Sequence, residues 1–451
     1  MDGIIVRFQL YLHSENAGEW PGRLLRGSGW SFAGTFGTYA IKLLSFILVA
    51  RMLGGEGFGK LGMIQVTVSM LNVFAGYGLG VTATKYIAEL LATDPGRVGR
   101  IIGLTRVVTI AVAGISSLLV FAIAPWLARD ILAAPELTFC LRISIIALFF
   151  GALNGAQVGV LSGFEAFKSI AQSNFVAAIA GAIAMITGTY YAGLAGSVMG
   201  YGAGFAIQWA VFYVVINRTA RAVGVRPVYA TCFREIKLLW RMGIPATLAG
   251  LLVTPVIWAC NAMLVRQVNG YAEMGILNAA NQWRTALLFL PSLIGGVTIP
   301  LIAQRVGNAD YKSANRIVRR LFQIFLLASI PLMGVIFLLS PWIMGAYRPE
   351  YTNCWPVLVL IVLAATLQTC EGPVLKYLEG TGRMWSIFIM NIGYCSVLLA
   401  GTFLLLKYGA LGLALASVCA FLVHGLCLGI YSLTVMRRDI DKQIPSSAHV
   451  D

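Results

Sequence analysis

WSFAGTFGTYAIKLLSFILVA, Trp30 to Ala50, holds one charge, Lys42, in 21 residues. Coiled as an α-helix at 1.5 Å per residue it is about 31 Å long, the thickness of the hydrocarbon core of a bilayer. It is not apolar all round. Ser31, Thr35, Thr38, Lys42 and Ser45 recur at steps of four and three, which puts them on one helical face. A segment that is long enough to cross a membrane and keeps one polar face predicts a transmembrane helix beside a wet path.

Eleven more stretches of this kind follow, near 61–83, 102–124, 138–161, 172–190, 193–216, 242–265, 274–302, 320–340, 355–375, 384–406 and 410–435. The connections between them are too short for a soluble domain. Composition agrees: 59% of residues are hydrophobic and 11% charged, against about 25% charged in soluble domains, and the mean hydropathy is +0.82. Glycine, 49 of 451 residues, lets helices approach closely in lipid. The segment through Gly29 is polar and has no apolar cleavable stretch, so no signal peptide is expected.

The net charge is +15, and its position assigns it to topology. With the N-terminus inside, 23 Lys and Arg fall on the inner segments, 7 on the outer ones, and Lys42, Arg106 and Arg284 within spans. Cytoplasmic loops are rich in Lys and Arg, so both termini are expected in the cytoplasm and no nucleic-acid partner is needed. The eight cysteines are scattered without a CxxC pair, which predicts neither a zinc site nor a disulfide framework. Of the three histidines only His424 lies in a span. No metal, cofactor or catalytic cluster is expected.

The halves of the chain repeat. Arg23-Leu24-Leu25 before Gly29 parallels Lys237-Leu238-Leu239 before Gly243 at an offset of 214. Arg51 parallels Arg266 at 215, Arg100-Ile101 and Pro125-Trp126 parallel Arg316-Ile317 and Pro341-Trp342 at 216, and Gly163, Asn174 and Tyr191 recur at 217. A steady drift is what a few small insertions produce. The expected fold is therefore all-α and integral to the membrane: twelve transmembrane helices in two parallel six-helix repeats. Its parts are a cytoplasmic N-terminal segment (1–29), an N-lobe (30–216), a basic inter-lobe loop (217–241), a C-lobe (242–435) and a cytoplasmic tail (436–451). Parallel repeats place a substrate site at their interface near the midplane.

The polar faces locate that site. Gln65, Ser69, Asn72 and Gly76 form a stripe on the second span; Thr254, Trp258 and Asn261 on the seventh; Asn278, Gln282 and Thr285, with Asn281 and Arg284 beside them, on the eighth. Lys42 and Arg284 fall near the middle of the bilayer, where a charge costs at least about 2.5–3.5 kcal/mol. Their polar surroundings predict a cationic wet cavity; packing or snorkelling is the bland alternative for each. Tyr39 and Trp258 are candidates to stack on a sugar, Thr38 to line the same face, and Arg51 and Arg266 either to anchor at the interface or to line an outer vestibule. Glu371 is the one carboxylate well inside a span, with nearby Lys376 or a loop residue as its candidate partner. GGEGFGK, Gly54 to Lys60, approaches a phosphate-binding loop, but Leu61 stands where a Ser or Thr must follow, so it reads as a hairpin turn. Gly196, Gly200 and Gly204 read as a packing ridge.

With two parallel repeats, ARMLGGEGFGKLG (Ala50–Gly62) and LSGFEAF (Leu161–Phe167), the chain resembles the polysaccharide transporter family of the multidrug/oligosaccharidyl-lipid/polysaccharide (MOP) superfamily, which includes the O-antigen flippases. The resemblance implies a flippase of the bacterial inner membrane. Such a protein carries an undecaprenyl-pyrophosphate-linked oligosaccharide between leaflets by alternating access, through a cationic cavity lined by helices one, two, seven and eight. It implies membrane lipids, a polysaccharide polymerase or glycosyltransferases as pathway partners, and H+ or Na+ as a candidate coupling ion. A multidrug antiporter of the same superfamily is the alternative, although such pumps tend to use an N-lobe intramembrane carboxylate that is absent here. A membrane glycosyltransferase or polysaccharide polymerase would need an outer catalytic loop, which the sequence lacks.

Overall fold

The computed structural model describes residues 20–239, 243, 251–288 and 310–441. The segment 1–19, the tail 442–451, and the parts of the expected spans 242–265 and 274–302 between 244–250 and 289–302 lie outside the described residues. Among the described residues there is no strand. Among the described residues, seven helical stretches are long and apolar enough to cross a membrane. The protein is all-α and multi-pass.

Helix α1 (Trp20–Leu90) bends at Gly54, whose φ of 78° and ψ of 172° divide it into two arms. Glycine has no Cβ to clash at positive φ, and the turn read from GGEGFGK reduces to this one residue. Helix α2 (Pro95–Trp126) starts on Asp94, whose carboxylate accepts from the Arg97 amide at 2.9 Å, with Pro95 at the first helical position. Helices α3 (Leu137–Gly163) and α4 (Phe167–Ala222) follow, the latter breaking at Ala192 and Gly193. The second half holds α5 (Val253–Val265), α6 (Gly270–Leu287), α7 (Tyr311–Tyr347), α8 (Trp355–Gly380), α9 (Met384–Leu405) and α10 (Gly409–Asp441). Asp310 caps α7 through the Ser313 amide at 3.1 Å, repeating the Asp94 cap 216 residues on.

Small residues carry the close packing. Gly76 and Gly80 of α1 lie against the Ala152 and Gly155 carbonyls of α3, and Thr84 bridges the two helices by donating to Gly159 O at 3.0 Å. The two arms of α4 meet along Gly181 and Gly188 on one side and Gly196 and Gly204 on the other, so the glycine ridge packs within its own half. The outer surface is apolar, with Leu118 72% and Leu327 70% exposed. Such a surface needs lipid as its solvent.

Two boundaries differ from expectation. The helix containing the first span begins by Trp20, and α4 continues to Ala222 through six residues assigned to the inter-lobe loop. Hydropathy marks where a helix leaves lipid, not where it ends. The rest of the linker is fastened to the N-terminal half: buried Glu235 takes Arg97 Nε at 2.9 Å and Arg100 Nε at 3.3 Å, and the Val228 amide donates to Gly99 O at 3.0 Å.

Candidate functional site

The halves meet at the end of the bundle that holds Gly54, and the contacts there follow one register. Arg51 Nε donates to the Ala346 carbonyl at 2.7 Å, and an Arg266 guanidinium nitrogen to the Asp130 carbonyl at 2.9 Å. The two arginines are 215 residues apart and the two carbonyls 216. A Cβ on Gly59 would run into the Tyr271 carbonyl oxygen, and one on Gly275 into that of Gly55; both pairs of equivalents are again 216 apart. Gly62 lies against Asn278, its own equivalent. Each half thus presents the same surface to the other, the pattern of an isologous contact.

Further contacts close this end: the Tyr271 hydroxyl donates to Leu132 O at 2.9 Å, and the Phe58 and Tyr347 rings lie 6.1 Å apart. Within the first half, Lys60 pairs with Glu56 at 2.7 Å and with Glu136 at 3.0 Å. Partial burial works against ionisation of Glu136, but its own backbone amide and Lys60 outweigh it and hold the carboxyl below the usual range.

Deeper along the interface, Trp258 Nε1 donates to Thr67 Oγ1 of the other half at 3.0 Å. Asn278 turns its Nδ2 toward Phe58 O at 3.5 Å and accepts from Gln282 at 3.2 Å. Gln65 and Asn261 are buried, each with one amide atom lacking a partner among the described residues. Asn72 packs on Gly151, its Oδ1 likewise without a partner. Thr38 is buried and donates to Gly34 O of its own helix at 2.9 Å. Lys42 is exposed on α1, and its side chain has no hydrogen-bond or ion-pair partner among the described residues. Tyr39, half-buried, precedes it by a turn.

Arg284 is held inside the second half. It donates to Gln368 Oε1 at 2.8 Å and lies over the Phe421 ring at 5.5 Å, while its buried Nε has no partner among the described residues. Lys42 and Arg284 share no partner among those residues. Arg51 and Arg266 are engaged in the closure between the halves.

The expected Lys376 partner of Glu371 is a correction: Lys376 binds Glu379 at 2.8 Å. Glu371 pairs with His424 Nδ1 at 2.8 Å, both buried, joining α8 to α10. Gln368, one turn before Glu371, completes a polar seam with Arg284. Sequence carried a signal for this pair, because rare ionisable groups within a membrane seek one another.

The profile described as "Polysaccharide biosynthesis protein" matches residues 24–306. The EPS I polysaccharide export inner membrane protein EpsE of Ralstonia nicotianae (strain ATCC BAA-1114 / GMI1000) is 24% identical over 87% of this chain and 89% of its own. The succinoglycan biosynthesis transport protein ExoT of Rhizobium meliloti (strain 1021) is 22% identical over 92% and 80%. Among solved structures, an inward-facing multidrug resistance MATE family transporter of the MOP superfamily superposes with a TM-score of 0.74 at 15% identity, over 90% of this chain and 96% of the other. The lipid II flippase MurJ in an inward closed conformation gives 0.70 at 15% identity, over 93% of each. These last two likenesses are of fold. The profile match spans more than half of the sequence, and the chain belongs to the polysaccharide biosynthesis protein family.

Proposed function

We propose that this protein is a flippase, not an enzyme, that moves a polyprenyl-pyrophosphate-linked oligosaccharide across the bacterial inner membrane by alternating access, for surface polysaccharide synthesis. The observation that carries the reading is an exposed charge, Lys42, within an otherwise apolar helix, with no carboxylate paired to it among the described residues, in a chain whose halves are joined by reciprocal contacts at one end. The export and transport roles in the names of EpsE and ExoT support it.

In this reading twelve transmembrane helices form two parallel six-helix lobes, 30–216 and 242–435, joined by the basic loop 217–241. The shared register of the Arg51 and Arg266 contacts supports a pseudo-two-fold axis along the membrane normal. Both termini face the cytoplasm, so the Gly54 end is external and the described contacts seal it. Lys42 takes the pyrophosphate through charge-assisted hydrogen bonds. Trp258, Asn278 and Gln282, together with Gln65, Asn72 and Asn261, line the path. Arg284 reaches the same cavity when the substrate draws it from Gln368. Affinity must differ between the two states for the substrate to be released.

The test is complementation of a flippase-null strain, with membrane abundance followed by immunoblot. Lys42→Gln is expected to lower surface polysaccharide about tenfold, the loss of one charge-assisted contact, and Lys42→Arg to retain more. Arg284→Gln is expected to act in the same direction, and the double variant to be less than additive if both grip one group. Full export by both glutamine variants would remove the cavity assignment.

A further inference from the structure

Where α2 and α4 approach the linker, three arginines line one cavity. Arg106 donates to the Tyr229 hydroxyl and to Asn217 Oδ1, both at 2.9 Å, and lies 4.7 Å over the Tyr213 ring. Arg221 and Arg226 complete the lining of a space of about 490 Å³. None of the three has a carboxylate partner among the described residues, and Glu235 of the linker is occupied by Arg97 and Arg100. No lining residue comes from the second half, and none is among the residues expected to bind the substrate.

Its position tells what kind of anion it fits. Helices α2 and α4 both pack on α3 and touch each other little. Beside the cavity, Ile110 of α2, one turn from Arg106, and Val214 of α4 are exposed, and Tyr213 of its lining is 41% exposed. Charge therefore sits next to exposed apolar side chains, at the depth where α4 leaves its apolar stretch. Guanidinium groups take phosphate oxygens bidentately, and basic cavities between membrane helices suit acidic lipid headgroups.

We propose that this cavity binds the headgroup phosphate of an anionic phospholipid, whose acyl chains lie along the exposed apolar side chains of α2 and α4. The lipid fastens the linker that joins the halves to the N-terminal half, because Arg106 already connects α2 to Tyr229 of that linker.

The experiment uses the full-length purified protein. Native mass spectrometry after detergent exchange, with phosphatidylglycerol, phosphatidylcholine or inorganic phosphate added, reads retained ligand. Arg106 also ties Asn217 to Tyr229, so the variants are Arg221→Gln and Arg226→Gln, whose side chains make no hydrogen bond among the described residues. Retention of phosphatidylglycerol over phosphatidylcholine is expected, falling about tenfold per arginine removed, with the melting temperature of the lipid-free protein unchanged. Equal retention of the two lipids, unchanged retention by both variants, or displacement of phosphatidylglycerol by millimolar inorganic phosphate would overturn the proposal.

Discussion

Glu371 and His424 are the clearest case of a residue-scale constraint. Each is buried, each keeps one polar atom without a partner among the described residues, and each is the other's neighbour at 2.8 Å. A buried polar group stripped of its partner costs several kcal/mol, whereas an apolar pair of similar volume can be neutral. His424→Ala is therefore expected to destabilise the detergent-solubilised protein by about 3 kcal/mol, seen as a lower melting temperature. Glu371→Leu with His424→Phe should recover most of the loss. If His424→Ala melts like the unmodified protein, the pair contributes no stability and its role lies elsewhere. Lys42 differs in kind. It is accessible, so replacing it should change transport and leave the melting temperature nearly where it was.

At the scale of elements, the two arms of α1 and the start of α6 set how the halves close. Gly59 and Gly275 let two helices approach until backbone touches backbone, and a side chain at either position must push them apart. The arginine contacts on either side then hold the ends by hydrogen bonds to carbonyls. Gly59→Leu is expected to favour the separated state at this end. Arg51→Ala and Arg266→Ala should each shift the balance in the same direction by about tenfold, the value of a charged hydrogen bond. Spin labels at Arg129→Cys and Val268→Cys, both exposed sites on opposite halves, would report a longer distance in each variant. An unchanged distance distribution in all three would mean that this end is held by other contacts.

Acid should act on the same end through Glu136. Its carboxyl is held below the ordinary value near pH 4.3 for Glu, so its pairing with Lys60 contributes fully above that pH and is lost as pH falls through the lowered value. The contribution of this pair to the melting temperature should therefore be constant from neutral pH to about pH 5, fall only in stronger acid, and that acid step should be absent in Glu136→Gln.

The whole molecule raises the question of orientation. The charge distribution predicts that the α4 end with Arg218 faces the cytoplasm and the turn with Glu350 faces outward. In a background without native cysteines, Arg218→Cys and Glu350→Cys, both exposed, should react with an impermeant thiol reagent from opposite sides of the membrane. Labelling from the same side would refute the twelve-span arrangement.

The sequence by itself determined that the chain is an all-α protein of the membrane, and it marked a turn within GGEGFGK and a repeated register between the halves. The bilayer makes this possible, because apolar length is a one-dimensional quantity and every backbone polar group must be satisfied within its own helix. Periodicity likewise marked the polar faces of α1, α5 and α6, since it depends on one helix alone. Which face meets which neighbour depends on the axial and rotational register between helices, and no single segment encodes it. Only the tertiary structure could therefore give Glu371 to His424 and not to Lys376, seat Arg284 on Gln368 and Phe421, and turn Arg51 and Arg266 from two matching interface residues into a reciprocal pair of contacts across the halves.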